Sequence, residues 1–259
     1  HEVCPRKSLY STGRLINPQK WYVEPGELRG HIQFMKKRNF FLLSIDDLKN
    51  QDQLTNKFCL LTFDDGGVSN YNYTYRILNE EGIKGHFFVV TDDINKRRFL
   101  SVSMVKEMAK NGQHIGSHSK SHQFLKFLND RELHDELQHS KNFIEDVTGK
   151  ACESLSIPAG LMSNRVMYKA YSIGYKHIFT SEPKYIKEIN RKYNSIGRWN
   201  VEQNQYHLVR LLNKDQSYFV RRKTRYLILK LIQNLLSSNF QIYQFLSMRI
   251  NRIYERRSS

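Results

Sequence analysis

An apolar run ending in two carboxylates and two glycines, Phe58-Cys59-Leu60-Leu61-Thr62-Phe63-Asp64-Asp65-Gly66-Gly67, constrains the fold of this chain most strongly. Its six mostly apolar residues between Lys57 and the acidic pair have the length of a strand buried on both faces, the kind found in parallel α/β sheets. Such sheets carry chemistry at the C-terminal ends of their strands. Adjacent carboxylates there repel each other unless a cation or a proton separates their roles, and glycines let backbone come close to a bound group. Taken alone, Asp64-Asp65-Gly66 reads more readily as a turn leaving a strand.

A second cluster about fifty residues on shifts that balance. In Gly112-Gln113-His114-Ile115-Gly116-Ser117-His118-Ser119-Lys120-Ser121-His122, His118 and His122 are four apart. One helical turn would put both imidazoles on one face, where two neutral nitrogens can share a divalent cation. The spacing alone is coincidental in a chain with 10 His. Its context is not, because the pair follows a short Ile115-centred strand one βα unit after the acidic strand end. An acidic and an imidazole strand end together make a mixed oxygen and nitrogen site.

These residues resemble the polysaccharide deacetylases with a NodB homology domain (carbohydrate esterase family four). Thr62-Phe63-Asp64-Asp65-Gly66 is similar to the first family motif, T-F-D-D-G, and His118 to His122 to the second, H-[ST]-x-x-H. The resemblance implies that Asp64 is the general base and that Asp65, His118 and His122 are metal ligands. His114 takes the place of Glu in the family's G-H-E-I-G-x-H pattern and reads as structural.

The alternation of elements supports the same class. A helix near Leu28–Arg38 precedes Phe40–Leu48, and a helix over Tyr71–Glu81 closes at Gly82 before an apolar strand at Gly85–Val90. Helices are expected at Ser103–Asn111, Asp130–Val147 and Asn164–Ile173, with strands at Ser154–Ile157, His177–Thr180 and Ser195–Val201. Such regular alternation is the signature of a parallel α/β sheet or barrel. Within that class, the resemblance to the NodB deacetylases implies a distorted, incomplete (β/α) barrel.

The resemblance thins downstream. The family's R-x-P-x-G segment corresponds to Ser156-Ile157-Pro158-Ala159-Gly160, so its Arg is replaced by Ser156. A serine can donate a hydrogen bond to a carboxylate but brings no positive charge. Arg198, after the short apolar strand at Ile196, is the candidate compensating cation. The Ala159 backbone N–H is the candidate oxyanion donor. The acidic-Trp motif is not visible, and Thr180-Ser181-Glu182-Pro183 stands in its place. For the general acid, His207 is the sole later histidine; it falls on a helical pattern rather than at a strand end.

With 259 residues, 39% hydrophobic and 12% aromatic, the chain is globular rather than disordered. It starts at His1, from which we expect a truncated N-terminus, with His1 closing a first strand whose body is missing. Three cysteines without a CxxC spacing lean towards a reducing compartment. The net charge of +16 is concentrated at the C-terminus, where residues 217–259 hold Arg221, Arg222, Lys223, Arg225, Lys230, Arg249, Arg252, Arg256 and Arg257 against Glu255. We expect a deacetylase domain over 1–215 and a basic amphipathic helical extension over 216–259. The apolar stretch Tyr226–Leu236 is shorter than the ~20 residues that span a bilayer. It could lie on an anionic membrane face, or pack on the barrel with its charges in water. No aromatic-basic interleaving marks a nucleic-acid surface.

The expected reaction is metal-dependent removal of N-acetyl or O-acetyl groups from a polysaccharide or lipid-linked sugar, in the cytoplasm or at the membrane periphery. Zn2+ suits two imidazoles and a carboxylate, with Co2+, Ni2+ or Mn2+ as alternatives. The competing readings are a non-catalytic glycan-binding or scaffold relative of the deacetylases and a metal-dependent phosphoesterase.

Overall fold

In the computed structural model, residues 2–5, 22–49, 57–160, 162–186, 193–201 and 205–235 are described. The first strands are β1 (Glu2–Val3), β2 (Tyr22–Val23), β3 (Phe41–Leu42), β4 (Phe58–Cys59) and β5 (Thr62–Phe63). They are followed by β6 (His86–Val89), β7 (His114–Ser117), β8 (Ser154–Ser156), β9 (His177–Phe179) and β10 (Asn194–Ile196). The helices are α1 (Pro25–Lys37), α2 (Ile45–Lys49), α3 (Arg76–Glu80), α4 (Val102–Lys110), α5 (Asp130–Thr148), α6 (Asn164–Ile173), α7 (Gln205–Leu212) and α8 (Gln216–Leu235).

Strands β5 to β10 form one parallel sheet in the order β10-β9-β8-β7-β6-β5, while β3 pairs with β4 and β1 with β2. Helices α4 and α5 pack on β7, and α6 packs on α5. This curled half-barrel with surrounding helices is the expected fold class.

The two faces of the sheet differ because side chains alternate along each strand. Phe87, Val89, Ile115, Leu155 and Ile178 belong to the main core with Leu133, Leu137 and Ile144 of α5. On the other face, Phe88, Phe179 and Ile196 close over Ile45 and Leu48 of α2. A polar row crosses the strand starts. His114 meets Ser154 Oγ at 2.9 Å, the His86 and His114 rings lie 5.0 Å apart, and Asn194 meets His177 Nδ1 at 3.0 Å. His114 is therefore a structural partner in the barrel floor.

Several local expectations change. The run Phe58–Phe63 is divided between two sheets, and Phe58 to Thr62 are half-buried, because the barrel is open at this edge. The helix expected at Tyr71 begins as a wide π-helical segment over Asn70–Tyr75 before α3. The final strand ends at Ile196, since Gly197 and Arg198 turn in against Glu182, whose carbonyl accepts from Arg198 N at 2.9 Å. Helix α1 starts earlier than expected, at Pro25, because Glu24 and Glu27 form a capping box ahead of it. His1 lies outside the described residues.

Candidate metal centre

The acidic turn is held in an unusual backbone state. Asp65 has φ 75°, a left-handed conformation that short polar residues tolerate. Gly66 follows at φ 73°, a conformation that strains other residues, and a Cβ there would press on Val89 at 3.3 Å, so glycine is favoured between the turn and β6. This geometry points Asp64 and Asp65, both buried, at one rim.

Asp65 Oδ1 lies 3.5 Å from His118 Nε2 and 3.4 Å from His122 Nε2, and the three donor atoms lie within 4.8 Å of one another. His118 is fully buried, and its Nδ1 donates to the Ser156 carbonyl at 2.8 Å. A carbonyl can only accept, so the proton of the neutral ring sits on Nδ1 and the Nε2 lone pair faces Asp65. Burial pushes His118 down to about 4, which keeps it neutral near pH 7. One carboxylate oxygen and two imidazole nitrogens, one locked in the ligating tautomer, fit a divalent cation such as zinc.

The two histidines do not share a helical face. Residues 118–122 form a loop after β7, with Ser119 at φ 63° and His122 at φ 62°. The ring centroids converge to 4.9 Å through this loop. A helical turn would have required regular αR backbone, which the left-handed residues exclude. Three hydroxyl and carboxylate contacts hold the loop: Ser117 Oγ accepts from Ser119 N, Ser119 Oγ from His122 N, and Glu136 of α5 from Ser121.

Asp64 stands beside this centre, 4.0 Å from His118 Nε2 through Oδ2. Arg198 reaches it from beyond β10. Its two η nitrogens donate to Asp64 Oδ1 at 2.7 Å and Oδ2 at 2.8 Å, and Nη2 also meets Ser156 Oγ at 2.8 Å. Ser156 donates to Asp64 Oδ2 at 3.1 Å. Register and the turn after β10 explain the convergence: Ser156 is level with Phe179 and Ile196 in the sheet, and the chain turns in just beyond Ile196, bringing Arg198 against Ser156. A bidentate guanidinium favours the ionised carboxylate.

Ala159 sits on the β8 side of the same rim, exposed, at φ 54° in the turn Pro158–Gly160. His207 lies on α7, and its side chain is outside the described residues. Sequence reasoning missed Glu136. It is in phase with Leu133, Leu137, Ser140 and Ile144 on the buried face of α5, and a carboxylate on an apolar helix face was the available signal.

The polysaccharide deacetylase family model matches residues 51–178. YxkH of Bacillus subtilis (strain 168), which carries the family's name, is 27% identical over 180 residues, or 68% of this chain and 62% of that protein. The peptidoglycan-N-acetylmuramic acid deacetylase PdaA of the same organism is 29% identical over 127 residues, covering 48% of this chain and 47% of its own. The chain thus spans about half to three-fifths of these relatives' length. Among solved structures, the Streptococcus pyogenes deacetylase PplD in complex with acetate shares the fold, with a TM-score of 0.71 at 21% identity over 82% of this chain and 95% of that one. On the family match and the two motifs that fall within it, residues 51–178 of the chain belong to the polysaccharide deacetylase family.

Proposed function

We propose that this chain is a metal-dependent hydrolase that removes N-acetyl or O-acetyl groups from a polysaccharide or lipid-linked sugar. The observation that carries the reading is the convergence of Asp65, His118 and His122 on one point with Asp64 alongside. Asp65 Oδ1 and the Nε2 atoms of both histidines would hold the cation, zinc by donor set, with cobalt, nickel or manganese as alternatives. When bound, such an ion polarises an acyl oxygen and makes a nearby water more acidic.

Asp64 takes the proton from the attacking water. Arg198 and Ser156 fix the orientation of its carboxylate through their hydrogen bonds to both of its oxygens. The Ala159 backbone N–H donates to the oxygen that becomes negative as the carbonyl carbon turns tetrahedral. His207 is proposed to protonate the departing amine. Arg198 supplies beside Asp64 the positive charge that Ser156 lacks, which favours an active hydrolase over a non-catalytic glycan-binding relative. An acetate-release screen over N- and O-acetylated sugars, with an aryl phosphate as counter-substrate, tests the reading. Acetate release with no phosphate release supports it, and phosphate release alone contradicts it.

We further propose that α8 rests against an anionic membrane surface, placing the protein at the membrane periphery. Val220, Leu227 and Leu231 are each more than half exposed on one face of the helix, with the Lys230 side chain also exposed. The opposite side packs through Tyr218 and Phe219 against Trp199 and Tyr185. No helix among the described residues is long and apolar enough to cross a membrane. A basic helix with an apolar outer stripe suits the interface of an anionic bilayer.

A further inference from the structure

We propose that Glu136 is a positioning residue for the metal centre. From α5, its carboxylate sets the conformation of the loop that carries both histidine ligands. This inference rests on the metal site proposed above and assigns a role to a residue outside it. Glu136 is buried, at 6% exposure, and accepts two hydrogen bonds from one residue, Ser121 N at 2.9 Å and Ser121 Oγ at 2.5 Å. Ser121 directly precedes His122.

The loop needs an external clamp because its own backbone does not favour its shape. Ser119 and His122 both lie in the left-handed region without being glycine, a state that persists only where surroundings over-determine it. On the outer side, Thr91 N and Asp92 N donate to the carbonyls of Ser119 and Lys120 at 3.4 and 2.9 Å. On the inner side, α5 provides both grips. Glu136 binds Ser121, and Ser140, one turn on, meets Ser117 Oγ at 2.8 Å and Tyr175 OH at 3.2 Å. The hydroxyls of Ser117 and Ser119 then pass the constraint to Ser119 N and His122 N. His118 has a separate anchor in the Ser156 carbonyl, so the ligand that depends on Glu136 is His122. A buried carboxylate is costly unless it is satisfied by such bonds, and Glu136 is the one carboxylate on the buried face of α5, beside Leu133, Leu137, Ser140 and Ile144.

Zinc affinity of the full chain, measured by competition with a chromophoric chelator, tests the proposal. Glu136→Ala should weaken binding by about 10- to 100-fold, the range seen when an outer partner of a metal ligand is removed. Glu136→Gln, which can still accept from Ser121 N and donate to Ser121 Oγ, should stay within about threefold of wild type. Leu137→Ala, on the same helix, truncates a fully buried core side chain but keeps the Glu136 carboxylate, and should lower thermal stability without changing zinc affinity. If Glu136→Ala folds poorly, Ser121→Ala removes one of the two bonds and should give an intermediate loss. Equal zinc affinity in wild type, Glu136→Ala and Ser121→Ala overturns the proposal. So does a loss in Leu137→Ala matching that in Glu136→Ala. A wild type that binds no zinc sinks the metal site itself.

Discussion

Arg198 and Asp64, 134 residues apart in the chain, meet in a two-point ion pair in which each η nitrogen of the guanidinium donates to a different carboxylate oxygen, at 2.7 and 2.8 Å. Ser156 stands between them and bonds to both. The charge that the family pattern places at the end of β8 here arrives from beyond β10, with a serine filling the vacated place. The pair is largely dry, with side chains 14% and 9% exposed.

Removing the guanidinium should therefore cost stability and activity together. Arg198→Met leaves a buried carboxylate without its cation, a loss on the order of 3–5 kcal/mol in a denaturant titration. A double variant, Arg198→Ser with Ser156→Arg, returns a guanidinium to β8 and should recover part of the lost rate. A single Arg198→Met variant with wild-type stability and a wild-type rate would count against the assigned role.

Asp64→Asn separates the proposed base from the ligands. General-base catalysis contributes about 10²–10⁴ in rate, so kcat should fall by that factor. Zinc affinity should change little, because Asp65 and the two histidines are untouched. A variant that loses metal and activity in parallel would make Asp64 a ligand instead.

How much of this was legible in the sequence depends on how local each interaction is. The Asp64-Asp65-Gly66 turn, the His118/His122 pair and the alternation of helices and strands are short-range patterns, and they carried the fold class and the metal-site candidates. Arg198 could be nominated because a short apolar strand places it at the rim, but its two-point contact depends on the register between β8, β9 and β10. The loop shape at 118–122 was misread because a four-residue spacing looks helical when nothing in it announces two left-handed residues. Glu136 was passed over as part of a charged helix, although the apolar phase of α5 put it on the buried side. His207 falls where its side chain is not described.

Two buried imidazoles give the metal-free protein a defined acid sensitivity. Burial, reinforced by neighbouring histidines, holds His86 down to about 3, and burial holds His118 down to about 4. An unfolded imidazole takes its proton near pH 6.5. Below that pH the unfolded chain binds protons that the folded chain refuses, so stability falls on acidification and is unaffected by these groups above it. The two together predict a loss of about 3 kcal/mol between pH 6.5 and pH 5. Denaturant midpoints across that window check it, and a flat profile would refute it.

The outer stripe of α8 makes a separate prediction. Cosedimentation with phosphatidylserine-containing vesicles should exceed that with neutral phosphatidylcholine and should weaken with salt. Leu227→Glu with Leu231→Glu should reduce binding to the anionic vesicles by at least tenfold while leaving thermal stability within about 0.5 kcal/mol, as for exposed sites. Equal binding by wild type and the double variant would remove the membrane from the account.

The most direct test of the central claim is acetate release from an N-acetylated aminosugar oligomer as zinc is added back, in steps, to metal-stripped protein. The account predicts no release without metal, a linear rise to one equivalent per chain and a plateau thereafter. Release that persists after stripping, or that never begins with zinc or cobalt supplied, would contradict it.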